Sequence, residues 1–195
     1  GLSMGALLDE IIETLDGMPE AERAELIALA EKETDGLVWI ANDGPQYQAV
    51  ECLADETFYG GEAGGGKTDL IVGLATCEHE RSVIFRRQSS DLEGFWDRLL
   101  EVVPNSAQAD GNKKRMRTQD GRLIQCGHLE KPGSELSWQG RPHDFIGFDE
   151  GAQLSPHKVN FVSGWLRAAV GKDGRRKRCR IVIGSNPPIG GEGEW

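Results

Sequence analysis

A glycine-rich stretch followed by a lysine and a threonine has the residue types and spacing of a phosphate-binding loop. It reads GGEAGGGKTD over residues 61–70, and it fits the pattern G-x-x-x-x-G-K-[ST] at every fixed position. Glycines let successive backbone N–H groups point at phosphate oxygens, and a helix that begins at Lys67 adds its positive dipole end. In such a loop the lysine reaches the β- and γ-phosphates and the hydroxyl of Thr68 coordinates Mg²⁺. The predicted nucleotide contacts are Gly61, Glu62, Ala63, Gly64, Gly65, Gly66, Lys67, Thr68 and Asp69.

Two acidic residues end an apolar segment, FIGFDE, at residues 145–150. Asp149 is the candidate to hold Mg²⁺ through its water shell, and Glu150 is the candidate to orient and deprotonate an attacking water. The alternative is a strand that ends in two solvated acids. Because an NKxD base-reading motif is absent from the sequence, the pair favours an ATPase with a catalytic glutamate over a GTPase.

A third candidate is the pair Ser185 and Asn186, which follows the apolar segment RIVIG. The carboxyl ends of parallel strands form the ligand crevice of an α/β sheet, so small polar side chains there could respond to the γ-phosphate. Taken alone, the sequence SNPP is also that of an ordinary turn.

The pattern of apolar segments predicts the elements that would position these residues. Strands are expected near 57–59, 82–87, 144–150 and 180–188, and helices near 45–53, after Thr68, at 92–103 and after Ser155-Pro156. Ser90 and Glu93 are predicted to form a capping box, and Asp120-Gly121 a hairpin turn. The alternation predicts an α/β fold with a mostly parallel central sheet flanked by helices.

The composition is that of an ordinary globular protein with an acidic N-terminal part. Of the formal net charge of −10, residues 1–60 carry 14 acidic and 2 basic side chains, so the remainder is near neutral and a nucleic-acid partner is compatible with it. Residues 1–40 are predicted to be an acidic helical segment with two helices between 5 and 33, and residues 41–195 the catalytic domain. The four cysteines lie far apart, which indicates reduced thiols rather than a zinc site. No apolar run of membrane-helix length and no leader are seen, so we expect a cytoplasmic protein without a membrane partner.

With these motifs in order, the chain resembles the ATPase domain of the large terminase subunit of tailed bacteriophages. The stretches that carry the resemblance lie within residues 44–190 and read FYGGEAGGGKTDL, SVIFRRQSSDLEG, SWQGRPHDFIGFDEGAQL and IVIGSNPP. The resemblance implies a P-loop NTPase fold of the catalytic-glutamate (ASCE) type. It also implies Mg²⁺-dependent ATP hydrolysis that drives double-stranded DNA into a procapsid in the infected host cytoplasm. A portal protein, a small terminase subunit and a homo-oligomeric ring are the implied partners, and the nuclease domain of large terminases is not expected in this chain.

The resemblance also suggests residue roles. Lys67 and Thr68 match the phosphate-loop residues, Asp149 the Mg²⁺-associated acid and Glu150 the catalytic glutamate. Ser185 and Asn186 match the motif thought to couple hydrolysis to movement. Gln46 matches a glutamine that reads adenine, although it could equally be a helix-start residue.

One departure from the family concerns the arginine that many large terminases carry in the phosphate loop. Here Glu62 and Ala63 occupy that part of the loop. The compensating positive charge is expected from Arg86, Arg87 or Arg141, and such an arginine could also be offered to a neighbouring subunit.

Two basic clusters are candidates for contact with DNA phosphates. KKRMR spans residues 113–117 and RRKRCR spans 175–180. A solvated strand face and a solvated loop are the respective alternatives. Two other functions stay open at this stage: another ATPase of the same class, such as a helicase-like translocase, and a nucleotide-gated assembly module without turnover.

Overall fold

Alternating apolar strands and helices build a seven-stranded sheet covered on both faces. A computed structural model of the chain describes residues 17–34, 38–62, 64–103, 108–168, 170, 174–176 and 178–187. The strands are β1 Glu56–Gly60, β2 Arg81–Arg86, β3 Gln108–Asp110, β4 Arg115–Arg117, β5 Leu123–His128, β6 Phe145–Asp149 and β7 Arg180–Ser185. The helices are α1 Glu20–Thr34, α2 Pro45–Glu51, α3 Lys67–Cys77, α4 Leu92–Val102 and α5 Pro156–Ser163, with 3₁₀ turns at Ser134–Trp138 and Gly151–Gln153.

The strand order is β1-β7-β6-β2-β5-β4-β3. The five strands from β1 to β5 in this order pair in parallel, and β4 and β3 continue the sheet antiparallel. The predicted mostly parallel α/β sheet is therefore confirmed. Strand β7 lies between β1 and β6, so the segment that follows β7 separates the glycine loop after β1 from the acidic pair of β6.

Side chains that alternate along each strand feed two hydrophobic cores. On β2, Ile84 packs with α3 and α4 on one face, whereas Val83 and Phe85 pack with α5 and Leu154 on the other. Gly147 of β6 permits a close approach of α3, because a Cβ there would lie 2.5 Å from Cγ2 of Ile71. These contacts fix α3, and with it the residues at its amino end, against the centre of the sheet.

The predicted capping box at the start of α4 is wrong. Asp91, rather than Ser90, is the N-cap residue, and no side chain caps the helix. The hydroxyl of Ser90 instead lies near the side chains of Gln88 and Asp91. Since the helix begins one residue later than the box requires, Glu93 occupies its second position and not its third.

The predicted hairpin is present, but with a longer turn. Strands β4 and β5 pair antiparallel around the five residues 118–122, where Gly121 has a φ of 96°. Helix α5 begins after Ser155 as predicted but ends at Ser163, so Trp165 and Leu166 lie beyond it.

The second helix of the predicted N-terminal segment corresponds to α1, and the first falls among residues 1–16, outside the described part of the chain. All four cysteines are free, in agreement with the prediction of reduced thiols. None of the described helices is both long and apolar enough to cross a membrane.

Candidate functional site

The predicted site residues meet at the edge of the sheet where the parallel strands end. Strand β1 leads into the glycine loop, β7 ends at Ser185, β6 ends at Asp149 and β2 ends at Arg86. The strand register places these ends side by side, because Gly60 lies opposite Ser185 and Asp149 opposite Gly184. This carboxyl edge is the position at which α/β sheets bind ligands.

The glycine loop has the backbone curvature that its sequence predicts. Gly61, Gly64 and Gly66 have φ values of 148°, 86° and 70°, which side chains other than hydrogen rarely allow. Gly66 is the N-cap of α3, and a Cβ on it would lie 2.8 Å from Nε2 of Gln46. Ala63 lies outside the described residues.

Lys67 is the first residue of α3, and its side chain turns back into the loop. The buried ammonium group donates hydrogen bonds to the carbonyl oxygens of Gly61 at 3.0 Å and Glu62 at 2.6 Å. A phosphate bound in the loop would offer this ammonium stronger, charged acceptors than the two carbonyls.

Thr68, Asp149 and Arg86 form a second contact group at the same edge. The hydroxyl of Thr68 donates to the carboxylate of Asp149, with distances of 3.2 Å to Oδ1 and 3.1 Å to Oδ2. The Arg86 guanidinium donates from Nε at 2.9 Å and from an Nη at 2.5 Å to Oδ2 of Asp149. Asp149 is only 1% exposed, so its charge is compensated by these two neighbours.

Glu150 is held in an unusual backbone conformation beside Asn186. Its φ of 56° and ψ of 49° lie in the left-handed region, which a residue with a long side chain seldom adopts. The amide nitrogen of Asn186 donates to both carboxylate oxygens, at 3.2 and 3.3 Å. Ser185 accepts a hydrogen bond from the backbone N–H of Ala152 at 3.1 Å. The pair after β7 therefore contacts the segment that carries Glu150.

A cavity of about 460 Å³ opens next to these groups. Its lining residues are Arg86, Arg87, Gln88, Asp91, Glu150, Gln153 and Asn186. Two arginines, a carboxylate and an amide thus face one polar space, which suits a phosphate group and a water molecule.

Two predicted nucleotide contacts are engaged elsewhere. Gln46 is buried near the start of α2, where its Oε1 accepts from the N–H of Asn42 at 2.5 Å and its Nε2 donates to the carbonyl of Gly66 at 2.9 Å. The carboxylate of Asp69 accepts from Nε1 of Trp39 and Nε of Arg98, both at 2.8 Å. Gln46 and Asp69 therefore brace the glycine loop and α3 from behind.

The two donors to Asp69 were not predicted from the sequence. Trp39 precedes α2 and Arg98 belongs to α4, and neither is part of a sequence motif. Their contacts depend on how these segments pack against α3, which no local pattern indicates.

Of the three candidate arginines, only Arg141 lies away from the site. Arg87 is exposed and lines the cavity. Arg141 precedes β6, and its guanidinium lies 5.3 Å from the centre of the Trp138 ring. The five residues of β6 separate it from Asp149 by roughly 16 Å at about 3.3 Å per residue. Arg141 is therefore at the opposite edge of the sheet.

The basic clusters differ in how much of their charge faces solvent. On β4, Arg115 and Arg117 are exposed on either side of the buried Met116. In the second cluster, the prediction of a basic loop is wrong for Arg180, which is fully buried and donates to the carbonyls of Ala49 and Val50. Arg178 donates to the carbonyls of Cys52 and Ala54. Backbone carbonyls at the end of α2 thus use two arginines that the sequence assigns to a loop.

The clearest pKa shifts belong to groups away from the site. Burial, with the nearby charge of Arg81, lowers the pKa of His143 to about 4, so its imidazole is neutral at pH 7. Burial would raise the pKa of Asp144, but hydrogen bonds from His79, Glu80 and Arg81 outweigh it and lower that pKa. Burial raises the pKa of the Cys126 thiol to about 12, which makes it unreactive.

The residues at the site fit a magnesium ion bound together with a nucleotide. No group of three or more histidine, cysteine or acidic side chains suited to a metal occurs in the described part of the chain. Mg²⁺ does not need one, because it keeps several waters and takes one or two protein oxygens together with substrate phosphates. Thr68 Oγ1 and the Asp149 carboxylate are adjacent hard oxygen groups of this kind.

Comparison with solved structures shows that this fold is that of phage large terminases. The large terminase of a thermophilic bacteriophage aligns with a TM-score of 0.54 and 14% identity over 73% of this chain and 38% of its own, and its complex with ADP with 0.55 and 12% over 76% and 39%. The large terminase ATPase domain of Thermus phage P74-26 aligns with 0.52 and 14% over 82% and 70%. No protein-family model and no curated protein matches the chain. The predicted resemblance is thus confirmed at the level of the fold, and the chain spans about two fifths of the first of these terminases.

Proposed function

We propose that this chain is the ATPase domain of a DNA-packaging motor of the large terminase type. The observation that carries the proposal is the convergence, at one edge of a terminase-like sheet, of a glycine loop with Lys67, the contact between Thr68 and Asp149, and the contact between Asn186 and Glu150. The ADP complex of the thermophilic phage terminase, which shares the fold, supports nucleotide as the ligand.

In this proposal the chain is a P-loop ATPase whose loop holds the phosphates of ATP. The backbone N–H groups of residues 61–66 and the amino end of α3 provide the positive environment. Lys67 leaves the carbonyls of Gly61 and Glu62 and donates to the β- and γ-phosphates. The neutral carbonyls hold the ammonium in reserve until charged oxygens replace them.

Thr68 and Asp149 would hold Mg²⁺. When bound, the ion supplies neutralisation of the phosphate charge and a fixed geometry for the transfer. The buried position of Asp149 keeps bulk water away from its carboxylate, which strengthens its attraction for a cation.

Glu150 acts as the catalytic glutamate, which defines the ATPase class proposed here. Its carboxylate accepts a proton from the attacking water and aligns that water with the γ-phosphorus. Asn186 fixes the carboxylate by donating to both oxygens, so loss of the γ-phosphate is relayed to β7 through this contact.

Positive charge for the transition state comes from arginines. Arg86 and Arg87 line the cavity beside Glu150 and can serve the site of their own chain. Arg141 can serve only the site of a neighbouring copy, because it lies at the opposite edge of the sheet. A homo-oligomeric ring would bring such a copy into place.

The motor role requires partners that we propose from the terminase fold. They are double-stranded DNA, a portal protein and a small terminase subunit in the cytoplasm of the infected host. Arg115 and Arg117 of β4 offer two exposed positive charges for DNA phosphates.

Nucleotide binding by a Lys67→Ala variant tests the phosphate-loop assignment. We expect its affinity for Mg-ATP to fall by about 10- to 100-fold, since a charged hydrogen bond contributes roughly 1.5–3 kcal/mol. The measurement is titration calorimetry beside a Lys113→Ala control, which removes an exposed lysine of the first basic cluster. Equal affinities of the parent and the Lys67→Ala variant would reject the assignment.

A further inference from the structure

The charge of Asp149 is compensated by a group that sequence motifs do not link to it. Arg86 ends β2 and lies across the sheet from the end of β6, and two of its nitrogens donate to one oxygen of the carboxylate. A third nitrogen donates to the carbonyl of Asp91 at 2.9 Å, at the start of α4. The guanidinium is therefore fixed between the acidic pair and a helix terminus.

This guanidinium and a divalent cation would need the same part of the same carboxylate. Asp149 Oδ2 accepts from Arg86 and lies 3.1 Å from the hydroxyl of Thr68, the second group expected to hold Mg²⁺. One carboxylate has a single negative charge, and a guanidinium beside a divalent cation at that carboxylate would be repelled. Both cations cannot be accommodated there at full strength.

We propose that Arg86 is a built-in competitor of Mg²⁺ for Asp149, displaced when Mg-nucleotide binds. This inference rests on the proposed ATPase function. The freed guanidinium stays within the cavity that Glu150 and Asn186 also line, where the γ-phosphate would lie. Arg86 therefore exchanges a carboxylate for a phosphate as its anionic partner.

The exchange also provides a signal to the rest of the fold. When Arg86 leaves, the carbonyl of Asp91 loses its donor at the point where α4 begins. Helix α4 is bound to α3 through Arg98 and Asp69, directly behind the phosphate loop. Occupancy of the metal position is thus linked to the contacts between these two helices.

The test is the dependence of nucleotide affinity on Mg²⁺ in an Arg86→Gln variant. The affinity for ATPγS is measured by calorimetry with Mg²⁺ and with EDTA, and the ratio of the two dissociation constants gives the coupling between metal and nucleotide. If Arg86 competes with the metal, its removal raises this ratio about tenfold over the parent, the effect of one charged pair.

Arg122→Gln is the matched control. Arg122 makes a similar pair with Asp120, at 2.7 Å and with a similarly exposed side chain, but at the hairpin turn between β4 and β5. The control should keep the ratio of the parent. An unchanged or lower ratio in Arg86→Gln would overturn the proposal, because a structural pair or an arginine that only binds phosphate does not oppose the metal.

Two further measurements keep the outcome decisive. If Arg86→Gln does not fold, Arg86→Lys replaces it, because lysine cannot make the paired contact to Oδ2 together with the contact to Asp91, and its ratio should also rise. If the parent binds no Mg-ATP, the proposed function fails, and thermal unfolding with Mg²⁺ alone then tests the competition. A larger Mg²⁺-induced rise in Tm for the Arg86 variant supports it, and an equal rise rejects it.

Discussion

At the scale of single residues, the catalytic assignment depends on how Glu150 is held. A glutamate with left-handed backbone angles costs about 1 kcal/mol or more relative to ordinary conformations, so its neighbours must hold it there. The 3₁₀ turn Gly151–Gln153 follows it directly, and Asn186 fixes its carboxylate from β7. Backbone strain at this residue agrees with a functional role, since such strain concentrates at reactive sites.

We therefore predict that Asn186→Ala lowers kcat by about tenfold, because the carboxylate of Glu150 loses the donor that orients it. KM for ATP should stay within about twofold, since Asn186 does not belong to the phosphate loop. Steady-state kinetics would show this split. The control is Asn160→Ala, which removes an exposed amide from α5. A kcat equal to that of the control would contradict the positioning role.

At the scale of elements, a buried arginine joins the support of the phosphate loop to the sheet. Arg180 of β7 donates to the carbonyls of Ala49 and Val50, near the end of α2, and lies 3.9 Å from Glu78 after α3. Burial lowers its pKa. Helix α2 also carries Gln46, which contacts Gly66, so Arg180 supports the loop through α2.

Replacing Arg180 by methionine should lower the free energy of unfolding by about 2–3 kcal/mol, because carbonyls near the end of α2 lose their donors. Urea denaturation measures this value. Arg176→Met is the matched control in the same basic cluster; its exposed side chain should matter by less than about 0.5 kcal/mol. Equal stability of the two variants would show that Arg180 does not anchor α2.

The same element shows how far sequence reasoning reaches. Apolar segments with polar ends predicted β2, β6 and β7, because a buried parallel strand is a local pattern. The glycine loop was likewise predicted from local spacing. The burial of Arg180 and the pairing of Arg86 with Asp149 were not, since they depend on which strands become neighbours. A basic run such as residues 175–180 reads as a solvated loop until the carbonyls of a distant helix are placed beside it.

At the scale of the whole molecule, the sheet separates two kinds of charge. The carboxyl edge collects the phosphate loop, the acidic pair and two arginines, whereas Arg141 lies at the opposite edge. An arginine placed there can complete a nucleotide site only in a neighbouring copy. A ring of such domains would therefore couple adjacent sites, and DNA would act on hydrolysis through that assembly.

The central claim is that Glu150 drives Mg²⁺-dependent ATP hydrolysis in a DNA motor. The most direct measurement is the steady-state hydrolysis rate of the chain and of its Glu150→Gln variant, with and without duplex DNA, at concentrations that permit assembly. We predict that the variant binds ATP but hydrolyses it at least about 100-fold more slowly, and that duplex DNA raises the rate of the parent alone. Equal rates in the variant and the parent would contradict the catalytic assignment, and a parent rate unaffected by duplex DNA would contradict the motor role.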